Sequence, residues 1–242
     1  KLKVVVLSFQ TINPYSNKMI KTFNYQDFST LSTSVKKSGK AFSSWKKLTI
    51  LERSKYFRTL SEVFSTRREV FTKEITKEMG KIYRESLAEI DKCVWLIDHF
   101  VEKSEEYLKS VELEADGIKH YLSFEPLGTI LSIMPWNFPF WQALRFAVPT
   151  IMAGNTTIVK SAEETTECGI LIEKAFLDAG FPEGVYKNII ANHDEVGNLI
   201  DHNGIKGISF TGSTLGGKAI YKRAAKNLKK VVLELGGSDP FI

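Results

Sequence analysis

The feature that most constrains this chain is the alternation of short apolar segments and longer helical segments after Pro126. Their periodicity predicts β-strands at residues 129–134, 156–160, 186–190, 207–210 and 230–235. The segments between them predict helices at residues 141–152, 164–179, 195–201 and 216–225. This order predicts an α/β fold with a Rossmann-like, doubly wound parallel sheet over residues 126–242. Ligands bind such sheets beyond the carboxyl ends of the strands, so the residues that follow each strand are the first candidates for a functional site.

Residues 1–110 predict a different organisation. A β-rich run from Val4 to Phe9, turn residues at 13–17 and a second β-rich run at 19–23 predict an edge strand and hairpin. From Asp27 to about Ser110, apolar residues recur at helical spacing, which predicts N-terminal helices that face a core. We interpret Cys93 as a packing residue of the last helix.

Residues 111–125 change to an alternating pattern around Asp116 and Gly117, which predicts a β-hairpin. The segment is too short to form a domain, so it either protrudes and extends another sheet or folds back onto its own core.

Composition excludes several classes of function. The chain has 43% hydrophobic and 25% charged residues, as a soluble globular protein does. No apolar run reaches the roughly 18 residues that a membrane span needs, and the start of the sequence lacks the features of a secretory signal. The net charge of +5 comes without a basic cluster interleaved with aromatic residues, so we expect no nucleic-acid partner. Two cysteines form no disulfide framework, which favours the cytoplasm.

The segment after the first strand of the sheet contains the strongest candidate residue. Pro135 and Pro139 fix the backbone on either side of Trp136 and Asn137. An Asn at this place can donate its side-chain NH2 to an oxyanion at the end of the sheet. It can equally cap the helix that follows.

The motif Pro135-Trp-Asn-Phe-Pro139 resembles the aldehyde dehydrogenase superfamily. Three more motifs follow in the family's order, at residues 153–160, 210–214 and 233–237. The resemblance covers essentially the whole chain, more loosely before Ser110, but only about the first half of a family member. It implies NAD(P)-dependent oxidation of a small aldehyde to a carboxylic acid, through a thiohemiacetal and a thioester of a nucleophilic cysteine.

The resemblance also implies a cofactor site. Gly212 and Gly217 allow a tight strand–helix turn, and Ser213 lies at a helix N-terminus, where a pyrophosphate binds well. By pattern alone this is a weak signal, and a plain strand–turn–helix is the alternative. Lys160 and Glu163 match the family residues that bind the ribose hydroxyls, and an acid there would repel a 2′-phosphate, which favours NAD with NADP possible. Further cofactor contacts are implied at Ile133, Met134, Pro135, Trp136, Gly197, Phe210, Leu235 and Gly236.

Glu234 lies between two leucines at the end of the last predicted strand. Burial there would raise the pKa of its carboxyl group toward that of a useful base, and the resemblance implies that this Glu activates the hydrolytic water. Phe138, Trp141 and Arg145 are implied to contact the substrate. Arg145 would bind the carboxylate of an anionic semialdehyde such as succinate semialdehyde, or it forms an ion pair on the helix surface.

The family's nucleophilic cysteine lies beyond residue 242, so the sequence predicts that the catalytic domain is absent from this chain and that the chain alone is inactive. Cys93 and Cys168 do not match it, and no metal site is expected. The resemblance implies a homo-oligomer, a dimer or tetramer, assembled through the hairpin at 111–125. A catalytically dead nucleotide-binding or assembly module is the alternative function.

Overall fold

The computed structural model describes residues 7–238. It begins with an antiparallel hairpin of β1 (Ser8–Ile12) and β2 (Met19–Asn24). The side-chain oxygen of Asn13 accepts backbone N–H groups at the turn, as an Asx turn requires. The hairpin is confirmed, although its first strand is shifted toward the C-terminus, and residues 4–6 of the predicted strand lie outside the described residues.

The predicted helical region consists of four helices: α1 (Phe28–Trp45), α2 (Ile50–Thr66), α3 (Arg68–Met79) and α4 (Tyr83–Tyr107). Asp27 caps α1, and Thr49 and Glu52 form a capping box at the start of α2. The apolar faces of these helices enclose a core that contains Cys93.

The strands β3 (Val111–Leu113) and β4 (His120–Leu122) form the predicted hairpin, which we call the arm. Within residues 7–238, these strands pair only with each other. The apolar side chains of the arm are about half exposed or more, so the arm does not fold onto its own core.

The second half of the chain alternates strands and helices. The strands are β5 (Thr129–Ile133), β6 (Thr156–Lys160), β7 (Tyr186–Ile189), β8 (Ile205–Gly212) and β9 (Lys230–Leu235). The helices between them are α5 (Pro139–Met152), α6 (Thr166–Asp178), α7 (His193–Asp201) and α8 (Thr214–Ala225). All five strands are parallel, in the order β7-β6-β5-β8-β9.

Helices cover both faces of this sheet, which confirms the doubly wound Rossmann-like fold. On one face, α5 and α6 share a core with α2, α3 and α4. On the other face, α7, α8 and the first half of α1 pack against apolar side chains of the strands. No helix within residues 7–238 has the length and apolar character that crossing a membrane would require.

Candidate functional site

The predicted site residues follow strands whose carboxyl ends lie at one edge of the sheet. Ile133 at the end of β5 pairs in register with Lys160 on one side and Phe210 on the other. The chain leaves β5 for β6 on one side and returns in β8 on the opposite side. The loop after β5 therefore lies at the switch point of the sheet, where parallel α/β proteins bind ligands.

A cavity of ≈ 460 Å³ opens beside this loop, and we call it the Asn137 cleft. It lies between the start of α5 and the ends of β8 and β9. The residues that line it are Pro135, Asn137, Trp141, Gln142, Arg145, Thr211, Gly212, Glu234, Leu235 and Gly236. Both predicted catalytic side chains, Asn137 and Glu234, thus border the same space.

Asn137 does not cap the helix that follows it. Helix α5 begins at Pro139, its N-cap residue is Phe138, and it has no side-chain cap from its own first turn. The alternative that Asn137 is an N-cap is therefore wrong. The residue lines the Asn137 cleft instead.

Glu234 is more exposed than the sequence predicted. Strand β9 is the outermost strand of the sheet in the described part of the chain, with only β8 beside it, and the Glu234 side chain is 53% exposed. The prediction that Glu234 is buried is therefore wrong for the structure of residues 7–238. Arg145 approaches it, with Nη1 4.0 Å from Oε2, and also donates a hydrogen bond to Gln142.

A second cavity of ≈ 390 Å³ lies on the other face of the sheet and contains the second half of the site. We call it the Lys160 cavity. Its lining brings together five of the predicted cofactor residues, which are Ile133, Lys160, Gly197, Phe210 and Ser213. His193 and Arg223, which the sequence analysis did not select, also line it.

The chemistry of the Lys160 cavity suits an anionic ligand with hydroxyl groups. Desolvation by burial lowers the pKa of Lys160, and the nearby charges of Glu163 and Glu164 oppose that shift. Ser213 caps α8 by accepting the N–H of Gly216. A Cβ at Gly212 would come within 2.6 Å of the Phe210 ring, so a larger residue there would have to displace this ring.

The remaining predicted cofactor residues lie elsewhere. Met134 is buried and lines a third cavity, on the α5 side of the sheet. Pro135, Leu235 and Gly236 line the Asn137 cleft rather than the Lys160 cavity, and Trp136 is half exposed. Glu163 starts a short 3-10 turn that leads directly into α6.

Two buried glutamates, which the sequence analysis missed, cap α5 and α6, the helices that precede and follow β6 in the sequence. Glu89 of α4 accepts the backbone N–H groups of Phe140 and Trp141 at 2.9 and 3.0 Å, and Glu78 of α3 accepts those of Glu167 and Cys168 at 3.0 and 2.9 Å. The two residues are only 3% and 2% exposed. A glutamate at helical spacing within an apolar stripe, as Glu89 is beside Ile90 and Cys93, was the available signal.

Cations cover both predicted substrate aromatics. Lys81 lies 3.5 Å from the ring centroid of Phe138, and Lys92 lies 3.9 Å from that of Trp141. Such contacts favour one orientation of each ring.

Both cysteines are free and buried. Burial raises the pKa of the Cys93 and Cys168 thiols well above the usual range. A thiolate nucleophile is therefore disfavoured at both positions.

Comparison with known proteins gives consistent matches. The model of the aldehyde dehydrogenase family matches residues 6–242. A probable NADP⁺ succinate-semialdehyde dehydrogenase of Synechocystis is 35% identical over 98% of this chain, which covers 52% of that protein. The NAD(P)⁺ succinate semialdehyde dehydrogenase Sad of Escherichia coli is 37% identical, with 96% of this chain and 50% of that protein covered. The chain therefore spans about half the length of these relatives.

Solved structures agree with the sequence comparison. The succinic semialdehyde dehydrogenase of Streptococcus pyogenes in complex with NADP⁺ superposes with a TM-score of 0.92 at 32% identity. That match covers 96% of this chain and 51% of the other. A betaine aldehyde dehydrogenase of Staphylococcus aureus in complex with NAD⁺ superposes with a TM-score of 0.89 at 27% identity, covering 95% of this chain and 47% of the other.

The buried Glu78 makes stability depend on pH. Burial raises the pKa of Glu78 from 4.5 to about 7, although its hydrogen bonds to Cys168 and Glu167 act in the opposite direction. Between these two values the native state carries a proton that the unfolded state has released. This contribution to stability is therefore present at low pH and is lost as the pH rises through about 7.

We expect the stability of the wild-type protein, measured relative to Glu78→Gln, to fall by about 2 kcal/mol between about pH 5 and about pH 8. Urea unfolding of both proteins at each pH gives this difference. The matched control Glu105→Gln changes an exposed glutamate of α4 and should not reproduce this fall. A pH-independent difference for Glu78→Gln would contradict the assignment.

Proposed function

The chain belongs to the aldehyde dehydrogenase family, and on this basis we propose that it is the dinucleotide-binding half of an enzyme that oxidises an aldehyde to a carboxylic acid with NAD or NADP. The observation that carries the proposal is that Asn137 and Glu234 border one cleft, and that the carboxyl end of β8 borders both this cleft and the Lys160 cavity. A protein that only bound a nucleotide would need neither side chain.

The dinucleotide fits the residues of the Lys160 cavity. Lys160 would donate to ribose hydroxyls, and the turn at Gly212 and Ser213 would receive the pyrophosphate at the N-terminus of α8. A Cβ at Gly217 would come within 2.6 Å of Leu235, so glycine there keeps α8 close to β9. When bound, the dinucleotide accepts the hydride that the aldehyde carbon gives up.

The residues of the Asn137 cleft supply the remaining chemistry. A thiolate from a part of the protein beyond this chain would add to the aldehyde carbon, and the Asn137 NH2 group would donate a hydrogen bond to the oxygen that becomes negative. After hydride loss, Glu234 would accept a proton from the water that attacks the thioester. This step releases the acid and the sulfur. The exposure of Glu234 supports this role, because water reaches its carboxylate directly.

Arg145 supports an anionic substrate. Its guanidinium borders the cleft four residues after Trp141, on the same face of α5. A substrate carboxylate would receive paired hydrogen bonds from it. Succinate semialdehyde, which the names of several relatives specify, is the proposed substrate.

NAD, rather than NADP, is the proposed preferred cofactor. The Glu163 carboxylate lies near the Lys160 ammonium and would repel a 2′-phosphate.

The arm supports a homo-oligomer. Ile118 is fully exposed at its tip, and Val111, Leu113, Tyr121 and Leu122 are about half exposed. Strand addition to a second copy would bury them and pair the free edges of β3 and β4. The two free thiols are consistent with a cytoplasmic enzyme.

Replacing Val111 and Leu122 in the arm by serine should lower the mass of the oligomer measured by sedimentation. An unchanged mass would argue against assembly through the arm.

A catalytically dead nucleotide-binding or assembly module is the second candidate function. It is favoured by the burial of both thiols in the described part of the chain, because neither can act as the nucleophile.

The purified 242-residue chain should bind NAD or NADP but should not reduce either one when succinate semialdehyde is added. The reason is that both of its thiols are buried and protonated. Calorimetry measures binding, and the absorbance of the reduced dinucleotide measures turnover, with a full-length relative as the positive control. Sustained turnover by the chain alone would contradict the proposal, and so would a failure to bind either dinucleotide.

Glu163→Gln should lower the ratio of the NADP to the NAD dissociation constant about tenfold, which corresponds to about 1.4 kcal/mol. The variant removes the negative charge that repels the 2′-phosphate. Glu164→Gln is the matched control, because this neighbouring glutamate is exposed and carries the same charge. An unchanged ratio, or an equal change in the control, would show that Glu163 does not select the cofactor.

A further inference from the structure

The start of helix α5 is fixed by a residue from another helix. Phe138 occupies the N-cap position and offers no side-chain acceptor, and Pro139 lacks an N–H group. The first free N–H groups of α5, on Phe140 and Trp141, both donate to Oε1 of Glu89, which lies 51 residues before Phe140 in the sequence. A single carboxylate oxygen of α4 therefore accepts both of the first free N–H groups of α5.

The second oxygen of the same carboxylate is equally committed. Oε2 of Glu89 lies 2.6 Å from Nζ of Lys81, and both residues are almost completely buried. The same ammonium lies 3.5 Å from the ring centroid of Phe138. The Glu89–Lys81 pair thus contacts residues on both sides of Pro139, and one of them directly follows Asn137.

The loop that contains Asn137 is anchored at its other end by the sheet. The backbone N–H of Met134 donates to the carbonyl oxygen of Lys160 at 3.0 Å, which continues the pairing of β5 with β6. Between this bond and the Glu89 contacts lie only residues 135–139, and two of these are prolines with restricted backbone angles. Few conformations of the loop are compatible with both anchors.

We propose that Glu89 is a positioning residue for Asn137, and that with Lys81 it fixes the loop at residues 135–138 so that the Asn137 carboxamide points into the cleft. The importance of this positioning for catalysis rests on the function proposed above, in which Asn137 donates to the oxyanion. Glu89 itself does not line the Asn137 cleft, so it acts through the start of α5.

Glu78 provides a matched control. It is as buried as Glu89, lies on the neighbouring helix, and caps α6 by accepting two backbone N–H groups, one on each carboxyl oxygen. Its loss should destabilise the protein by the same physical mechanism without affecting the loop at residues 135–138. A purely structural role for Glu89 would make the two substitutions equivalent at Asn137.

The test compares Glu89→Gln and Glu78→Gln in the 242-residue chain, labelled with ¹⁵N and studied by NMR without cofactor or aldehyde. In Glu89→Gln, the amide proton resonances of Phe140 and Trp141 should move upfield, because the charged acceptor is lost. The side-chain NH2 resonances of Asn137 should move with them or broaden. In Glu78→Gln, the amides of Glu167 and Cys168 should move, and the Asn137 side chain should not.

The proposal is overturned if the Asn137 side-chain resonances do not move in Glu89→Gln, or if they move equally in Glu78→Gln. If Glu89→Gln does not fold, Glu89→Asp replaces it. Glu89→Asp keeps the charge beside Lys81 but shortens the reach to α5, so the same resonances must move. Because no cofactor or aldehyde is present, a negative result leaves the proposed enzymatic function to its own test. For the same reason, the NMR result does not depend on whether the protein is an active enzyme.

Discussion

The architecture of the site depends on two buried glutamates that accept the first N–H groups of helices α5 and α6. A helix leaves its first N–H groups without partners, and these groups need acceptors when water is excluded. Helices α5 and α6 have no side-chain cap from their own first turns. Glu89 and Glu78, from the preceding helical layer, supply the acceptors instead. The loop after β5 therefore does not cap α5 and can place Asn137 at the Asn137 cleft, while Lys160, the last residue of β6, lines the Lys160 cavity.

The parallel sheet accounts for the rest of the geometry. All five strands end at one edge, so residues that are distant in sequence become neighbours there. Asn137 follows β5, and Glu234 belongs to β9, yet β8 is the only strand between them. The alternating direction of side chains along a strand sends Glu234 toward α5, whereas the Lys160 cavity opens toward α7 and α8. The site is thus divided into two compartments by the sheet itself.

Much of this could be predicted from the sequence, because alternating strand and helix periodicity is a local signal. The predicted bounds of β6 and β9 agree with those observed, and the grouping of Asn137 with Glu234 followed from the polarity of the strands. The exposure of Glu234 could not be predicted, because it depends on β9 being an edge strand of the sheet in residues 7–238. The roles of Glu78 and Glu89 are also long-range, since each depends on a helix that begins in a different layer.

The most direct test of these long-range caps is hydrogen exchange of the first-turn amides in the unmodified chain. Amides at a helix start normally exchange quickly, because they have no partner within the helix. If Glu89 accepts those of Phe140 and Trp141, the two amides should exchange as slowly as amides in the middle of α5. Exchange at the rate of exposed loop amides would contradict the account, because the start of α5 would then have no buried acceptor.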